Sequence, residues 1–172
     1  MPKPIINLAE VSLDATPSTF APTGPAADRF EARTGSISAR IGARKLGYNI
    51  TAVPPGKRAW PFHNHPAKEE MFFMLQGSGE VRIGEARYPI RTGDFIACPA
   101  GGRETAHQII NTGTQELRYL AVSTEHSLEM AQYPDSGKFA VKAGFGTAPD
   151  GTPQTCVFVG RETQSVAFWD GE

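Results

Sequence analysis

The chain has 172 residues, of which 40% are hydrophobic and 20% are charged, and this balance is typical of one globular domain rather than of a disordered segment. The formal net charge of −1 gives no electrostatic reason to expect nucleic acid or an anionic membrane as a partner. No apolar run approaches the length of a membrane span, and the first residues lack the apolar stretch of a signal peptide, so we expect a cytoplasmic protein.

Glycine and proline separate short apolar runs along most of the chain, which is the pattern of an all-β domain. An irregular arm is expected over residues 14–27, with one or two helical turns at 26–33. We predict strands at 36–41, 46–53, 58–63, 69–76, 79–83, 86–91, 94–98, 106–111 and 116–123. Gly84-Glu85 predicts a tight hairpin between two of these strands.

The pattern weakens after residue 125. Residues 126–132 predict a short helix, and 155–159 and 165–169 are two further apolar runs of β type. We therefore expect an N-terminal arm at 1–35, a β-barrel at 36–125, and a C-terminal extension at 126–172 that packs on the barrel. About nine short strands with tight turns predict a sandwich or a small barrel.

Residues 69–76 are apolar on both faces of the predicted strand. Strand alternation directs Phe72, Met74 and Gln76 inward with Glu70, and the same reasoning directs Ile109 and Asn111 inward with His107. The outer face, formed by Met71, Phe73 and Leu75, needs a cover. A second sheet, the arm or a partner subunit would supply it, and a homodimer is the expected assembly.

The most informative residues are His63, His65, Glu70 and His107. The first two are two positions apart, so on a strand they share one face. Glu70 lies an odd number of residues beyond His65, and Pro66 predicts a turn or bulge that restores its direction. Imidazole nitrogen and carboxylate oxygen together suit a borderline divalent ion, so the four predict a metal site.

The remaining histidine and the cysteines lack such a context. His126 is predicted to be a surface or helix-start residue. Cys98 and Cys156 are too few for a disulfide framework, and we predict structural roles for both.

Two ordered motifs resemble those of the cupin superfamily over about residues 36–123. The first motif of that family places His-x-His and Glu between two glycines, and here it comprises Gly56, His63, His65, Glu70 and Gly77. The second comprises Gly93, Pro99, Gly101, His107 and Asn111. The gap before His63 is one residue longer than usual, and the gap before His107 is three residues longer, with Gly102-Arg103-Glu104 the expected insertion.

The resemblance implies a double-stranded β-helix, or jelly-roll barrel, in which His63, His65, Glu70 and His107 hold a divalent metal ion. The residue types leave Zn, Mn, Fe, Ni and Cu open. Three imidazoles and one carboxylate would leave one or two coordination positions free for a ligand. The site would then carry a net charge of about +1, which favours anionic or oxygen-rich ligands.

Several other side chains are candidates for contact with a small-molecule substrate. The substrate-binding candidates are Arg58, Trp60, Lys68, Phe72, Met74, Arg103 and Ile109. Arg103 is a candidate anion clamp, and Tyr48 and Tyr119 are candidate proton donors. For the apolar members a core role is the simpler expectation.

Three functions follow from this reasoning. The first is a metal-dependent isomerase or epimerase that acts on a small oxygenated compound such as a sugar phosphate, as in part of the cupin superfamily. The second is a metal-dependent dioxygenase, which needs a redox-active ion and would suit an apolar pocket. The third is a non-catalytic metal- or small-molecule-binding barrel, which a cavity too small for more than water would favour.

Overall fold

The structure is a computed structural model that describes residues 3–148, 150 and 152–172. The strands are β1 (Asp14–Ala15), β2 (Arg33–Ser36), β3 (Leu46–Val53), β4 (Glu70–Gln76), β5 (Ser78–Ile83), β6 (Ala86–Arg91), β7 (Phe95–Cys98), β8 (His107–Ile110), β9 (Leu117–Thr124), β10 (Leu128–Tyr133), β11 (Lys138–Thr147) and β12 (Pro153–Gly160). The helices are α1 (Ser38–Ile41) and four 3-10 turns, Leu8–Glu10, Gly24–Ala26, Arg103–Thr105 and Glu162–Gln164. Among the described residues, no helix has the length and hydrophobicity needed to cross a membrane.

The strands form three antiparallel sheets. The largest sheet has the order β1-β2-β3-β9-β4-β7, and a second has the order β6-β5-β8. The hydrophobic core draws residues from both, including Met74 and Leu117 of the first sheet and Val81 and Ile109 of the second. Two sheets that bury one face each against a shared core form the predicted jelly-roll barrel.

Tight turns between the barrel strands follow the glycine pattern of the sequence. Gly77, which joins β4 to β5, has φ of +84°, and a Cβ placed there would lie 2.8 Å from the carbonyl oxygen of Glu116. Glycine is therefore required both for backbone conformation and for the close approach of the β9 entry. The hairpin predicted at Gly84-Glu85 is present between β5 and β6.

The two faces of β4 separate much as alternation predicts. Phe72 and Met74 are buried in the core, but Gln76 is exposed because the β4–β9 register shifts between Met74 and Gln76. On the outer face, Leu75 lines an apolar cavity of about 410 Å³ together with Ile5 and other residues of the N-terminal arm. The arm is thus one of the covers that the sequence required.

Some predicted elements differ from the structure. Residues 36–41 end β2 and then form α1, because Ile37 and Ile41 are four positions apart and face the same apolar cavity. Over 58–63 the chain makes only isolated bridges, at Arg58 and His63. Residues 126–132 enter strand β10 rather than a helix. Residues 165–169 lie outside any strand, with exposed side chains, whereas 155–159 lie within β12 as predicted.

The third sheet, β10-β11-β12, is built entirely from the C-terminal part of the chain. It joins the barrel at Asn64, whose backbone exchanges two hydrogen bonds with Gln132, at 3.0 Å and 2.9 Å. The Asn64 side chain is fully buried and donates to Oε1 of Gln132 at 2.8 Å. The contact fixes the C-terminal sheet directly beside the two histidines that flank Asn64. The domain limits at residues 35 and 125 stay predictions.

Candidate metal centre

The two histidines around Asn64 are held against the strand that carries the third. His63 and His107 form an antiparallel bridge, with backbone N–O separations of 3.2 Å and 2.8 Å. The backbone N–H of Gly101 donates to the carbonyl of His65 at 2.9 Å, so both flanking residues are fixed by the backbone. Barrel closure therefore brings His107 to the His63–His65 segment, as predicted.

Glu70 lies an odd number of residues beyond His65, so an unbroken strand would direct the two side chains to opposite faces. The chain departs from a regular strand at Pro66. The chain bends at Pro66 and Ala67, and β4 then begins at Glu70. Proline cannot donate a ladder hydrogen bond, so a strand cannot continue through this position in the sheet interior. The bend directs the Glu70 side chain back toward the histidines.

The four side chains converge around one oxygen atom. Oε2 of Glu70 lies 3.1 Å from Nε2 of His107, 3.4 Å from Nε2 of His65 and 3.9 Å from Nε2 of His63. Ligand atoms of His63, Glu70 and His107 all lie within 4.8 Å of one another, and His65 stands slightly outside this closest group. In agreement, the ring centroids of His63 and His107 are 4.6 Å apart, whereas those of His65 and His107 are 6.4 Å apart.

Electrostatics favour the protonation states that a metal ion needs. Burial, aided by repulsion from His107, lowers the pKa of His63 from 6.5 to about 3, so its imidazole is neutral at pH 7. Its Nδ1 lies 2.7 Å from the carbonyl oxygen of Pro61, which can only accept, so Nδ1 carries the proton and the Nε2 lone pair is free. For Glu70, burial raises the pKa, but hydrogen bonds from His107 and His65 outweigh it and hold the pKa well below its ordinary value.

This donor set fits a divalent ion. Two ligand atoms that each lie about 2.1 Å from one ion are about 3.0–3.5 Å apart, and the separations from Glu70 to His107 and His65 fall in this range. The His63 separation of 3.9 Å needs only a small inward shift. The ligands would be a carboxylate and neutral imidazoles. The nearby Cys98 stays a thiol, because burial and Glu70 raise its pKa to about 12.

The centre lies at one side of a cavity of about 850 Å³ between the barrel and the C-terminal sheet. Strands β2, β3 and β9 present small polar side chains to this cavity. We call this group the hydroxyl wall; it comprises Thr34, Ser36, Asn49, Thr51 and Ser123. Register places them side by side, with Thr34 opposite Thr51 and Ser36 opposite Asn49. Ser123 lies opposite Glu70 across the β4–β9 pair, so the wall adjoins the metal ligands.

Five of the remaining sequence candidates line this cavity. They are Tyr48, Trp60, Lys68, Phe72 and Tyr119. Tyr119 is almost completely buried, and its hydroxyl is hydrogen-bonded to Thr51 and Trp60. Burial raises the pKa of Tyr119 above its ordinary range, so the phenol stays protonated.

The other four candidates lie elsewhere. Met74 and Ile109 are packed in the hydrophobic core. Arg58 lines a separate cavity of about 450 Å³ beneath the arm, where its guanidinium lies 6.0 Å from the Phe30 ring. Arg103 is on an exposed turn, with its side chain 67% exposed and 3.8 Å from Glu85. Neither arginine lines the metal cavity.

Three site residues escaped the sequence reasoning, namely Asn64, Glu129 and Tyr133. Glu129 and Tyr133 project from β10 into the cavity. The Tyr133 ring lies 6.2 Å from that of His63, and burial, together with Glu129, raises the Tyr133 pKa. The apolar residues of β10, Leu128 and Met130, face outward instead, so an alternation rule that sends apolar residues inward would have hidden both.

Comparisons with known proteins agree with the fold and the motifs. The family model described as Cupin domain matches residues 49–123. Protein SchB of Streptomyces halstedii is 31% identical over 110 residues, which is 64% of this chain and 74% of SchB. An oxalate-binding protein of Thermotoga maritima is 33% identical over 70 residues, or 41% of this chain and 54% of that protein.

Among solved structures, a sugar phosphate isomerase from a cupin superfamily, from Silicibacter pomeroyi, matches with a TM-score of 0.74 at 20% identity, covering 97% of this chain and 98% of that one. At this identity the likeness shows a shared fold, and it extends through the arm and the C-terminal sheet. Together with the matched motifs and the converged histidines, these findings show that the chain belongs to the cupin superfamily.

Proposed function

We propose that the chain is a divalent-metal enzyme that isomerises or epimerises a small, oxygen-rich, anionic substrate such as a sugar phosphate. The observation that carries this proposal is the position of the three-histidine, one-glutamate centre next to the hydroxyl wall, in one cavity. The Silicibacter pomeroyi sugar phosphate isomerase, which shares the fold over nearly its whole length, supports the same reaction class.

The cavity has room for such a substrate. Small-molecule sites enclose about 300–1,000 Å³, and the cavity of about 850 Å³ lies within that range. A cavity that admitted only water would have favoured a role without a substrate. The space beside the ligands therefore supports a bound organic molecule.

One wall of the cavity, the hydroxyl wall, suits a polyhydroxylated ligand. Hydroxyl and amide groups on the wall can both donate and accept, which matches the hydroxyls of a sugar. A ligand without polar groups would displace the water that hydrates these side chains and leave them without hydrogen-bond partners. Such unsatisfied polar groups cost binding free energy. The hydroxyl wall thus supports a sugar-like substrate for the isomerase. The aromatic side chains that line the same cavity, among them Trp60 and Phe72, are equally compatible with the dioxygenase, so turnover of a sugar phosphate is what distinguishes the two.

Two lysines line the cavity, together with the carboxylates of Glu125 and Glu129. Lys68 is largely buried and binds Glu129 at 3.0 Å, and Lys142 of β11 lines the same cavity while remaining exposed. An anionic group at the cavity mouth would lie within reach of the Lys142 ammonium. We therefore assign to Lys142 the anion-binding role that the sequence had suggested for Arg103.

The site residues divide the work of proton handling and orientation. A bound divalent ion would supply electrophilic stabilisation of negative charge on a substrate oxygen. Tyr133 keeps its proton at neutral pH and can donate a hydrogen bond to a substrate oxygen in the cavity. The buried Tyr119 hydroxyl is engaged with Thr51 and Trp60 and instead holds Thr51 in place. Asn49 and Thr51 would orient the substrate hydroxyls along the wall.

A binding role without catalysis is the second candidate. The oxalate-binding protein of Thermotoga maritima supports it, since it is 33% identical to this chain over 70 residues. A dicarboxylate and a sugar phosphate are both anionic and oxygen-rich, so turnover distinguishes the two roles. Binding of substrate analogues without product formation would favour this second candidate.

The test of the metal-enzyme proposal begins with elemental analysis of protein purified without added metal. We expect one divalent ion per chain, with turnover of at least one member of a sugar-phosphate panel. His65→Ala should lose the metal, while His126→Ala, which removes an exposed histidine, should keep it. Metal content unchanged by His65→Ala would refute the ligand set. The absence of both turnover and binding across the panel would refute the substrate class.

A further inference from the structure

One buried nitrogen at the metal centre lacks a hydrogen bond. Nδ1 of His65 is inaccessible to solvent and has no hydrogen-bond partner among the described residues. Oε1 of Glu129 lies 3.3 Å from it, close enough for a hydrogen bond but poorly aligned. A small rotation of either side chain would complete a charge-assisted bond between them.

Glu129 is itself held in place. Its second carboxylate oxygen, Oε2, accepts a hydrogen bond from Nζ of Lys68 at 3.0 Å. The exposed fractions of the three side chains are low, at 7% for His65, 12% for Lys68 and 21% for Glu129. The carboxylate thus bridges a lysine and a histidine in a largely water-free position.

The orientation of β10 makes this arrangement unusual for a strand. Leu128 and Met130, which flank Glu129, are 64% and 36% exposed, while the acidic side chain between them points into the cavity. Packing alone would place the apolar residues inward and the carboxylate in water. The inner face of β10 thus presents Glu129, Ala131 and Tyr133 to the cavity, while its two larger apolar side chains lie on the outside.

We propose that Glu129 is a positioning residue of the metal centre: it accepts the Nδ1 proton of His65 and so directs the Nε2 lone pair toward the ion. The inference rests on the proposed metal function and deepens it. A histidine that binds a metal through one nitrogen needs the other nitrogen fixed, and a carboxylate partner also makes the imidazole more basic. Lys68 restrains the carboxylate in turn.

The consequence is that the C-terminal sheet completes the centre. Glu129 lies outside residues 49–123, the part that matches the cupin family model. β10 is fixed to the barrel by the Asn64–Gln132 hydrogen bonds, three residues beyond Glu129. The same segment that supplies two metal ligands therefore also places the residue that orients one of them.

Metal affinity provides the first test, with Co²⁺ as the probe because its visible absorption reports its ligands. We expect Glu129→Gln and Glu129→Leu to weaken the Co²⁺ Kd by about 10- to 100-fold, as for other partners of metal-bound histidines. Lys68→Gln, which frees the carboxylate without removing it, should have a smaller effect. The matched control is Glu125→Gln, which removes a carboxylate from the same cavity where it contacts Ser123 and no histidine.

The Nδ1 proton of His65 in Zn²⁺-loaded protein provides the second test. NMR should show this proton shifted downfield and slow to exchange in the wild type and in Glu125→Gln, and exchanging faster in Glu129→Leu. Thermal unfolding midpoints identify any variant that has lost its fold, and Glu129→Gln is the conservative variant if Glu129→Leu fails.

The outcomes separate this inference from the proposed function. If both Glu129 variants bind Co²⁺ with the wild-type Kd and keep a slowly exchanging His65 Nδ1 proton, the role of Glu129 is overturned while the metal function stays intact. A wild type that binds no divalent ion would overturn the metal function, and with it the positioning role. Weakened Co²⁺ binding together with faster exchange of the Nδ1 proton supports both.

Discussion

Asn64 shows how three consecutive residues can serve two purposes. His63 and His65 face the centre, and Asn64 faces the opposite way, where its amide donates to the Gly101 carbonyl and to Gln132, each at 2.8 Å. The sequence predicted the histidine pair because alternation alone determines that two such residues share a face. It could not predict the role of Asn64, because the partner of a buried amide depends on chain segments that are distant in sequence.

The low pKa of His63 predicts how the metal-free protein responds to acid. The unfolded chain binds a proton at His63 near pH 6.5, but the folded protein does so only near pH 3, so between these values the unfolded state holds more protons. Stability must therefore fall as the pH is lowered through this window, by about 3 kcal/mol between pH 6.5 and pH 4 for His63 alone. Glu70 acts in the same direction, since its lowered pKa stabilises the fold at neutral pH and that contribution is lost in acid.

Urea unfolding in a chelator at a series of pH values measures this dependence. The free energy of unfolding of His63→Gln should fall less steeply with acid than that of the wild type. His126→Gln removes an exposed histidine and should retain the wild-type slope. If the curves of wild type and His63→Gln run parallel, the buried neutral state of His63 is refuted.

At the scale of elements, the barrel strands, including β4 and β8 that carry Glu70 and His107, were predicted well, and two strands of the C-terminal sheet were not. The predicted bounds of β3 and β6 agree with the structure. Residues 126–132 were predicted as a short helix but enter β10, and β11, which holds Lys142, was not predicted. On β10 the apolar residues Leu128 and Met130 face outward while Glu129 faces the cavity, which reverses the apolar pattern on which strand prediction depends.

The contact between the N-terminal arm and β2 gives a prediction at this scale. Gly35 is buried in β2, and a Cβ placed there would lie 2.5 Å from both the Ser12 carbonyl oxygen and Cγ1 of Val11. Gly35→Ala should therefore displace the arm and lower the free energy of unfolding by about 1–3 kcal/mol. Gly144→Ala is the matched control, since a Cβ at that strand position would come no closer than 3.7 Å to another residue.

Chemical denaturation of both variants tests the contact. A Gly35→Ala protein as stable as Gly144→Ala would show that the arm does not pack against β2 in solution. Proteolysis of the arm, measured as the rate of cleavage within residues 3–20, should accelerate in Gly35→Ala alone. Equal cleavage rates would point to the same conclusion.

At the scale of the molecule, the segments before and after the two motifs help to form the cavity beside the metal centre. The two motifs specified four ligands and the barrel, because each motif residue acts through local geometry. They could not specify the cavity, since its walls come from β2 before the first motif and from β10, β11 and β12 after the second. The relation between these segments and the centre depends on long-range packing, which a local pattern does not encode.

The outer face of the largest sheet gives the prediction about assembly. Phe95 lies on β7, the last strand of that sheet, and is 71% exposed, with its ring 4.4 Å from that of Phe73 on β4. Next to this pair, Met71 lies opposite Ala97 and continues the apolar row. The arm covers Leu75 but not this end of the sheet, so we propose that a second copy of the chain covers it in a homodimer.

Sedimentation equilibrium tests the homodimer. The wild type should have the mass of two chains at micromolar concentration, and Phe95→Glu should shift it toward one chain, because a carboxylate buried in an apolar contact is strongly unfavourable. Tyr88→Glu changes an exposed aromatic residue on β6, 52% exposed, and should leave the dimer intact. A single-chain mass for the wild type, or a dimer that survives Phe95→Glu, would refute this interface. The metal centre lies on the inner side of the same sheet, so its Co²⁺ affinity should be equal in monomer and dimer.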